Sequence, residues 1–258
     1  MREGTLGFIG GGRVARIILG GLRKAGKMPA QIVASDTDPD VLKKLQAGFP
    51  TVEAASNNRE PAAQDFVFLA LHPPAIAGSL AEIKDCLKPD AILLSLAPKL
   101  SIAKLKDLLG GFDRIVRLIP NAASIIGEGF NPIVFSGAFN QQAREEIKAF
   151  LGTLGKCPEV VENKLEAYAV ITAMGPTYLW FQLEELRGMA ESFGMAPAEA
   201  SAGIAEMAYG AVNTLFGSGM VAEEVMDLIP VKPLGEEEKI IRAMYKSKLA
   251  PLYEKLKS

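Results

Sequence analysis

Residues 6–17 read LGFIGGGRVARI, and the fold follows from how those twelve letters are grouped. Leu6, Phe8 and Ile9 form a short apolar run fit for a buried strand. Gly10-x-Gly12-x-x-Ala15 follows at once, and Val14, Ile17, Ile18 and Leu22 then recur at helical spacing. Gly10 permits a tight turn, Gly12 carries no side chain to hold a phosphate away, and Ala15 is small enough for close helix-strand packing. The free N–H groups and positive dipole end of such a helix face a pyrophosphate without needing a dedicated lysine. A second apolar segment, Ile32-Val33-Ala34, ends at Asp36, about 20 residues past the turn, where a carboxylate can accept a hydrogen bond from a ribose hydroxyl. Asp36 alone also has a plainer reading, as the cap of a helix from Asp38 to Gln46.

Working outward, short apolar runs near 5–10, 31–35, 66–71, 91–96, 114–118 and 132–135 alternate with amphipathic stretches. That alternation predicts a parallel, doubly wound α/β sheet over residues 1–161. Ligands of such sheets bind at the carboxyl ends of the strands, so the loops after Ile9, Ala34, Leu71 and Ser95 are expected to line one crevice. From 162 to 258 the period changes, and apolar residues recur at three and four through 176–193, 197–216, 220–228 and 235–256. This predicts an all-helical second domain, with Pro176, Pro197, Pro230, Pro233 and Pro251 marking helix starts or breaks and Gly194 and Gly219 marking stops. Tyr178, Trp180, Phe181, Phe193, Met207 and Phe216 make its helices too apolar to hide alone, so a homodimer or larger homo-oligomer is expected.

Hydrophobic residues are 49% of the chain and charged residues 22%, with 28 Lys+Arg against 30 Asp+Glu. A net charge of −2 offers no broad attraction to nucleic acid or anionic lipid, so the expected partner is a small neutral or anionic molecule. The two cysteines lack metal-ligand spacing and no metal site is expected; a reducing cytoplasm is the simplest compartment. Ala167 to Phe181, the most apolar later stretch, is shorter than a membrane span and holds Gly175-Pro176.

Five segments, LGFIGGGRVA at 6–15, VFLALHPP at 67–74, RLIPNAASIIGEG at 117–129, MGPTYLWFQLEEL at 174–186 and GMAESFGM at 188–195, together resemble the pyrroline-5-carboxylate reductase family. The likeness runs from about residue 4 to 229. It implies a nicotinamide-dependent reductase that passes hydride to the carbon of a ring C=N bond, with substrate held between a nucleotide domain and a helical domain shared by two subunits. By this resemblance Gly10, Gly12, Arg13 and Val14 contact the phosphates, Asn58 the adenosine side, and Ala70, His72, Pro73 and Asn121 the nicotinamide end. Met174, Gly175, Pro176 and Thr177 fall in the substrate segment, with Met174 where the family has serine. Pro230–Glu236 stands where the family has paired glycines and threonines, which brings Lys232 to the substrate side.

An iminium carbon accepts hydride directly, so positioning supplies most of the acceleration. A carbonyl substrate needs a donor, and His72, Thr172 and Tyr178 are the candidates. His72 has a second reading, as a ring capping the strand end. Lys99 is either a contact for a substrate carboxylate or nicotinamide phosphate, or a solvated loop residue. With NAD(P)H as cofactor, Asp36 favours NADH because a carboxylate accepts from both ribose hydroxyls and repels a 2′-phosphate. Alternatives to reduction of pyrroline-5-carboxylate are another imine or small carbonyl as substrate, or a non-catalytic dimer that senses NADH.

Overall fold

The computed structural model describes residues 4–71 and 73–257. Its core is a seven-stranded sheet in the order β3-β2-β1-β4-β5-β6-β8. The strands are β1 (Leu6–Ile9), β2 (Ile32–Ser35), β3 (Val52–Ala54), β4 (Phe66–Leu69), β5 (Ile92–Ser95), β6 (Ile115–Leu118) and β8 (Ile133–Phe135). Two short strands, β7 (Gly129–Phe130) and β9 (Gly155–Lys156), pair separately. Helices α1 (Arg13–Lys24), α2 (Pro39–Gly48), α3 (Arg59–Ala62), α4 (Pro73–Ile83), α5 (Ile102–Leu108) and α6 (Gln141–Leu151) alternate with the strands.

The predicted doubly wound sheet is present, and strand parity explains its two layers. Leu6, Phe8, Phe66, Phe68, Ile92 and Leu94 point into one core with Ile18, Leu19 and Leu22 of α1. Ile9, Val67, Leu69 and Leu93 point into the other, against Ile76 and Leu80 of α4 and Leu105 of α5. Both faces are covered, which is why these strands read as continuous apolar runs. Phe8 and Phe68 stack across β1 and β4 with ring centroids 5.0 Å apart.

Two expectations about the sheet are corrected. The edge strand β3 was not among those predicted, because only Val52 of its three residues is buried and the run carries almost no apolar signal. The strand at 132–135 does not continue the parallel set: β8 runs antiparallel to β6, with Val116 opposite Phe135. The connection between them holds only a 3-10 turn, Ala122–Ile126, and the two-residue β7. It is too slight for the helical crossover that a parallel return needs.

Packing divides the chain into two units, one of residues up to Met174 together with the chain's end from Tyr253, the other Gly175–Leu252. The division therefore falls after Met174 and not between 161 and 162. Segment 162–174 contains α7 (Leu165–Tyr168) and a five-residue π turn, Ala169–Ala173. It stays with the sheet because Leu165 and Ala169 are buried with Ile119 and Val134, and Leu256 from the chain's end packs on the same cluster.

The second unit is built from α8 (Pro176–Ser192), α9 (Pro197–Gly217), α10 (Ala222–Asp227) and most of α11 (Glu238–Lys257). Pro176 and Pro197 open their helices, and Gly194 and Gly219 take positive φ just beyond the helices they follow, as predicted. Pro251 is a correction, since it lies inside α11 and neither starts nor breaks it. The bond it removes belongs to the carbonyl of Ser247, on an exposed stretch where water can satisfy that group.

Candidate nucleotide site and the 172–178 segment

The Gly-rich turn holds one glycine crowded by a neighbouring strand end and one with open space beside it. Gly10 has φ +103°, and a Cβ there lies 2.4 Å from the carbonyl oxygen of Ala70, so a side chain is excluded by the neighbouring strand end. Gly12 has φ −74° and ψ −150°, and a Cβ there meets no atom of the described residues within 4 Å. Among the described residues no contact accounts for a glycine at position 12. With α1 starting at Arg13 without a side-chain cap and without an acid in its first turn, that open space leaves the N–H groups of the turn accessible to an anion. Arg13 is exposed and Val14 half-buried at the mouth of this turn. The turn fits a dinucleotide pyrophosphate.

The loops after β1, β2, β4 and β5 share one edge of the sheet. Gly10 donates its N–H to Ser35 at 2.8 Å, Ala70 to Ile9 at 2.8 Å, and Leu96 to Leu69 at 3.1 Å. Asp36 accepts from the N–H of Gly11 at 2.9 Å through Oδ2 and from that of Asp38 at 3.0 Å through Oδ1. It ties the end of β2 to the Gly-rich turn, and each oxygen keeps a further lone pair for a ribose hydroxyl. The helix cap belongs to Asp38, which accepts from Asp40 N–H at 2.9 Å, so the plainer reading of Asp36 is corrected.

Asn58 is held by protein partners. Its Oδ1 accepts from the Ser35 hydroxyl at 2.7 Å, its Nδ2 donates to Glu82 at 2.8 Å and to Ser79 at 3.3 Å, and its N–H donates to Glu82 at 3.1 Å. Both amide hydrogens are committed, so Asn58 braces the end of β2 against α4. Glu82 was not singled out in the sequence, because its partner is 24 positions away and no local pattern links them. His72 lies outside the described residues, and Pro73 opens α4 with its side chain also outside them.

Asn121 is 7% exposed and caps the turn after β6 through Oδ1, which accepts from Ala123 N–H at 2.9 Å. Its Nδ2 donates to the carbonyl of Thr172 at 2.7 Å, so it reaches from the nucleotide edge to the π turn. Thr172 gives its own hydroxyl hydrogen to the carbonyl of Tyr168 at 2.8 Å, which leaves lone pairs but no spare proton for a donor role. Met174 closes the π turn by donating its N–H to Ala169 at 3.1 Å. Arg117 on β6 is 3% exposed and holds the same segment from below, through Glu162 at 3.0 Å and Glu166 at 2.8 Å. Glu162 also accepts from Ile102 N–H at 2.7 Å, joining the start of α5 to this clamp.

In the helical unit, Gly175 precedes α8 and Pro176 is its first residue, with Thr177 and Tyr178 completing the first turn and no side-chain cap present. Burial, and then the neighbouring Tyr245, raise the Tyr178 phenol above its ordinary value. The two rings meet edge to face with centroids 6.1 Å apart. Tyr178 therefore keeps its proton at neutral pH, as a tyrosine ordinarily does. Lys232 is exposed and lines a surface hollow of about 340 Å³ with Val225, Met226, Ile229, Val231 and Glu238. A larger hollow of about 590 Å³ lies at the opposite edge of the sheet, among Leu6, Lys27, Met28, Phe66, Phe150 and Thr153. It sits at the amino ends of β1 and β4, whereas ligands of this sheet type bind at the carboxyl ends, so the Gly-rich edge is the candidate site.

A family model described as NADP oxidoreductase, coenzyme F420-dependent, matches residues 5–99, the stretch that contains the turn, Asp36, Asn58 and Ala70. Pyrroline-5-carboxylate reductase of Pseudomonas aeruginosa is 25% identical over 255 residues, 98% of this chain and 93% of that protein. Among solved structures, Plasmodium falciparum pyrroline carboxylate reductase with NADP bound superposes with a TM-score of 0.80 at 21% identity, covering 100% of this chain and 97% of its own. The pyrroline-5-carboxylate reductase of Coxiella burnetii gives a TM-score of 0.70 at 25% identity, covering 99% and 95%. The chain is similar to these reductases from end to end, across both of its units.

Proposed function

We propose that this chain reduces a cyclic imine at the expense of NAD(P)H, with pyrroline-5-carboxylate as substrate and proline as product. The observation that carries the proposal is Gly12, a glycine with open space around it at the uncapped start of α1. The end-to-end similarity to pyrroline-5-carboxylate reductases supports the choice of substrate. A bound reduced nicotinamide supplies the hydride. The first turn of α1, with Gly12, Arg13 and Val14, holds the pyrophosphate, and Asp36 receives the ribose hydroxyls. Asn121 and Arg117 fix the π turn that presents Thr172 and Met174. Pre-organisation and exclusion of water are then the main demands on the protein, because an iminium carbon needs no further proton. Where a proton is needed, Tyr178 holds one.

NADH is the preferred form, since Asp36 forms no ion pair among the described residues and its charge opposes a 2′-phosphate. The working species is a homodimer or larger, because large apolar side chains of the helical unit stay exposed in the single chain. Both cysteines are free, in keeping with a reducing cytoplasm, and among the described residues no helix is long and apolar enough to cross a membrane.

Steady-state assays with pyrroline-5-carboxylate beside a panel of cyclic imines and small carbonyls, each with NADH and NADPH, test the proposal. Turnover of pyrroline-5-carboxylate with a higher kcat/KM for NADH is the expected result. Turnover only of another compound moves the substrate, and tight NADH binding without any turnover replaces the enzyme by a sensor. A clear NADPH preference overturns the role given to Asp36.

A further inference from the structure

Lys99 has φ +67° and is the one non-glycine residue with positive φ among those described. That region suits glycine, and a long side chain there is held against the preference of its own backbone. No packing need explains it, since Lys99 is exposed while the neighbouring Ala97 is buried. Its ammonium makes no hydrogen bond or ion pair among the described residues, unlike Lys104, which pairs with Asp107, and Arg117, which is committed to Glu162 and Glu166.

The loop that carries it leaves β5, on the same sheet edge as the Gly-rich turn. Asp36 marks the ribose side on β2, and the strand order places β5 on the other side of β1, beyond β4. Two strand spacings are roughly 10 Å, about the distance from the pyrophosphate turn to the reactive end of a dinucleotide lying across the edge. An unpartnered cation at that end attracts an oxyanion.

We propose that Lys99 binds an anionic oxygen group at the nicotinamide end of the crevice and is a specificity-determining residue of the site. A long lysine side chain starting there meets one of two such groups: the nicotinamide-side phosphate, back toward the turn, or the carboxylate of the imine beside the nicotinamide. The carboxylate version rests on the proposed function; the phosphate version needs only nucleotide binding.

Lys99→Gly and Lys99→Gln separate these. The glycine variant frees the backbone and is expected to be at least as thermostable as the parent, so a loss of binding in it is not a loss of fold. NADH affinity is measured by calorimetry without substrate, and KM for pyrroline-5-carboxylate at saturating NADH. A rise of about tenfold in the NADH Kd of both variants, equal to 1.4 kcal/mol, assigns Lys99 to the phosphate. An unchanged Kd with a KM raised about tenfold and kcat little altered assigns it to the carboxylate. Changes under twofold in both quantities overturn the proposal. If the parent protein turns over no pyrroline-5-carboxylate, the function reading falls by itself, and the Lys99 proposal stands or falls on the NADH Kd.

Discussion

The two units of this chain treat their apolar residues in opposite ways. In the sheet unit Phe8 and Phe68 have no exposed surface, and helices close over both faces. In the helical unit Phe181 is 68% exposed, Phe193 77% and Phe216 82%, although α8 and α9 run for 17 and 21 residues. The difference teaches that regular secondary structure and a completed core are separate achievements. A doubly wound sheet buries its apolar runs within one chain, while this set of helices leaves its surplus for another surface.

The most demanding test of that contrast is assembly. The intact chain is expected to sediment as a dimer or larger at micromolar concentration, and Phe181→Glu to weaken association at least tenfold while the sheet unit keeps its nucleotide affinity. A parent protein that is monomeric and free of aggregation breaks the comparison. A second test, of stability, sharpens where the self-sufficient unit ends. Arg117→Met leaves Glu166 and the partly exposed Glu162 without their counter-charge, so it should lower stability by about 3 kcal/mol in urea unfolding. A loss under about 1 kcal/mol would mean that segment 162–174 is held by apolar packing alone.

The smallest effect concerns the start of the sheet. Asp65 receives the Lys88 ammonium at 2.6 Å and the N–H of Thr5 at 2.9 Å, and these bonds hold its carboxyl below the ordinary value of 3.8. A depressed acid adds stability above its unfolded value and loses it as pH falls through the folded one. The advantage of the parent over Asp65→Asn should therefore be present at pH 6 and shrink as pH drops below 3.8. With the side chains of Lys88 and Asp65 43% and 40% exposed, it stays well under about 1 kcal/mol. An advantage that grows on acidification contradicts the assignment.

What the sequence made legible follows from burial. Strands covered on both faces appear as apolar runs, so β1, β2, β4, β5 and β6 could be placed within a residue or two, and the turn glycines with them. The edge strand β3 could not, since only Val52 is buried, and the direction of β8 could not, since pairing sense depends on the connection and not on the strand. The candidate site shows the same limit. The residue types at Gly12 and Asp36 raise the expectation of a nucleotide, but nothing in the sequence shows that Asp36 is tied to Gly11, that Glu82 holds Asn58, or that Thr172 has already given its proton to Tyr168. Each of the first two bonds spans more than 20 positions, and the third depends on a local π turn that periodicity does not announce.

The central claim is that Gly12 is kept bare for a pyrophosphate, and calorimetry of NADH binding to the parent and to Gly12→Val tests it most directly. The account predicts tight binding to the parent and at least a hundredfold loss in the variant, with Tm unchanged within about 2 °C because a Cβ at this position meets no atom of the described residues within 4 Å. Equal affinity in the two proteins, or no binding to the parent, contradicts it.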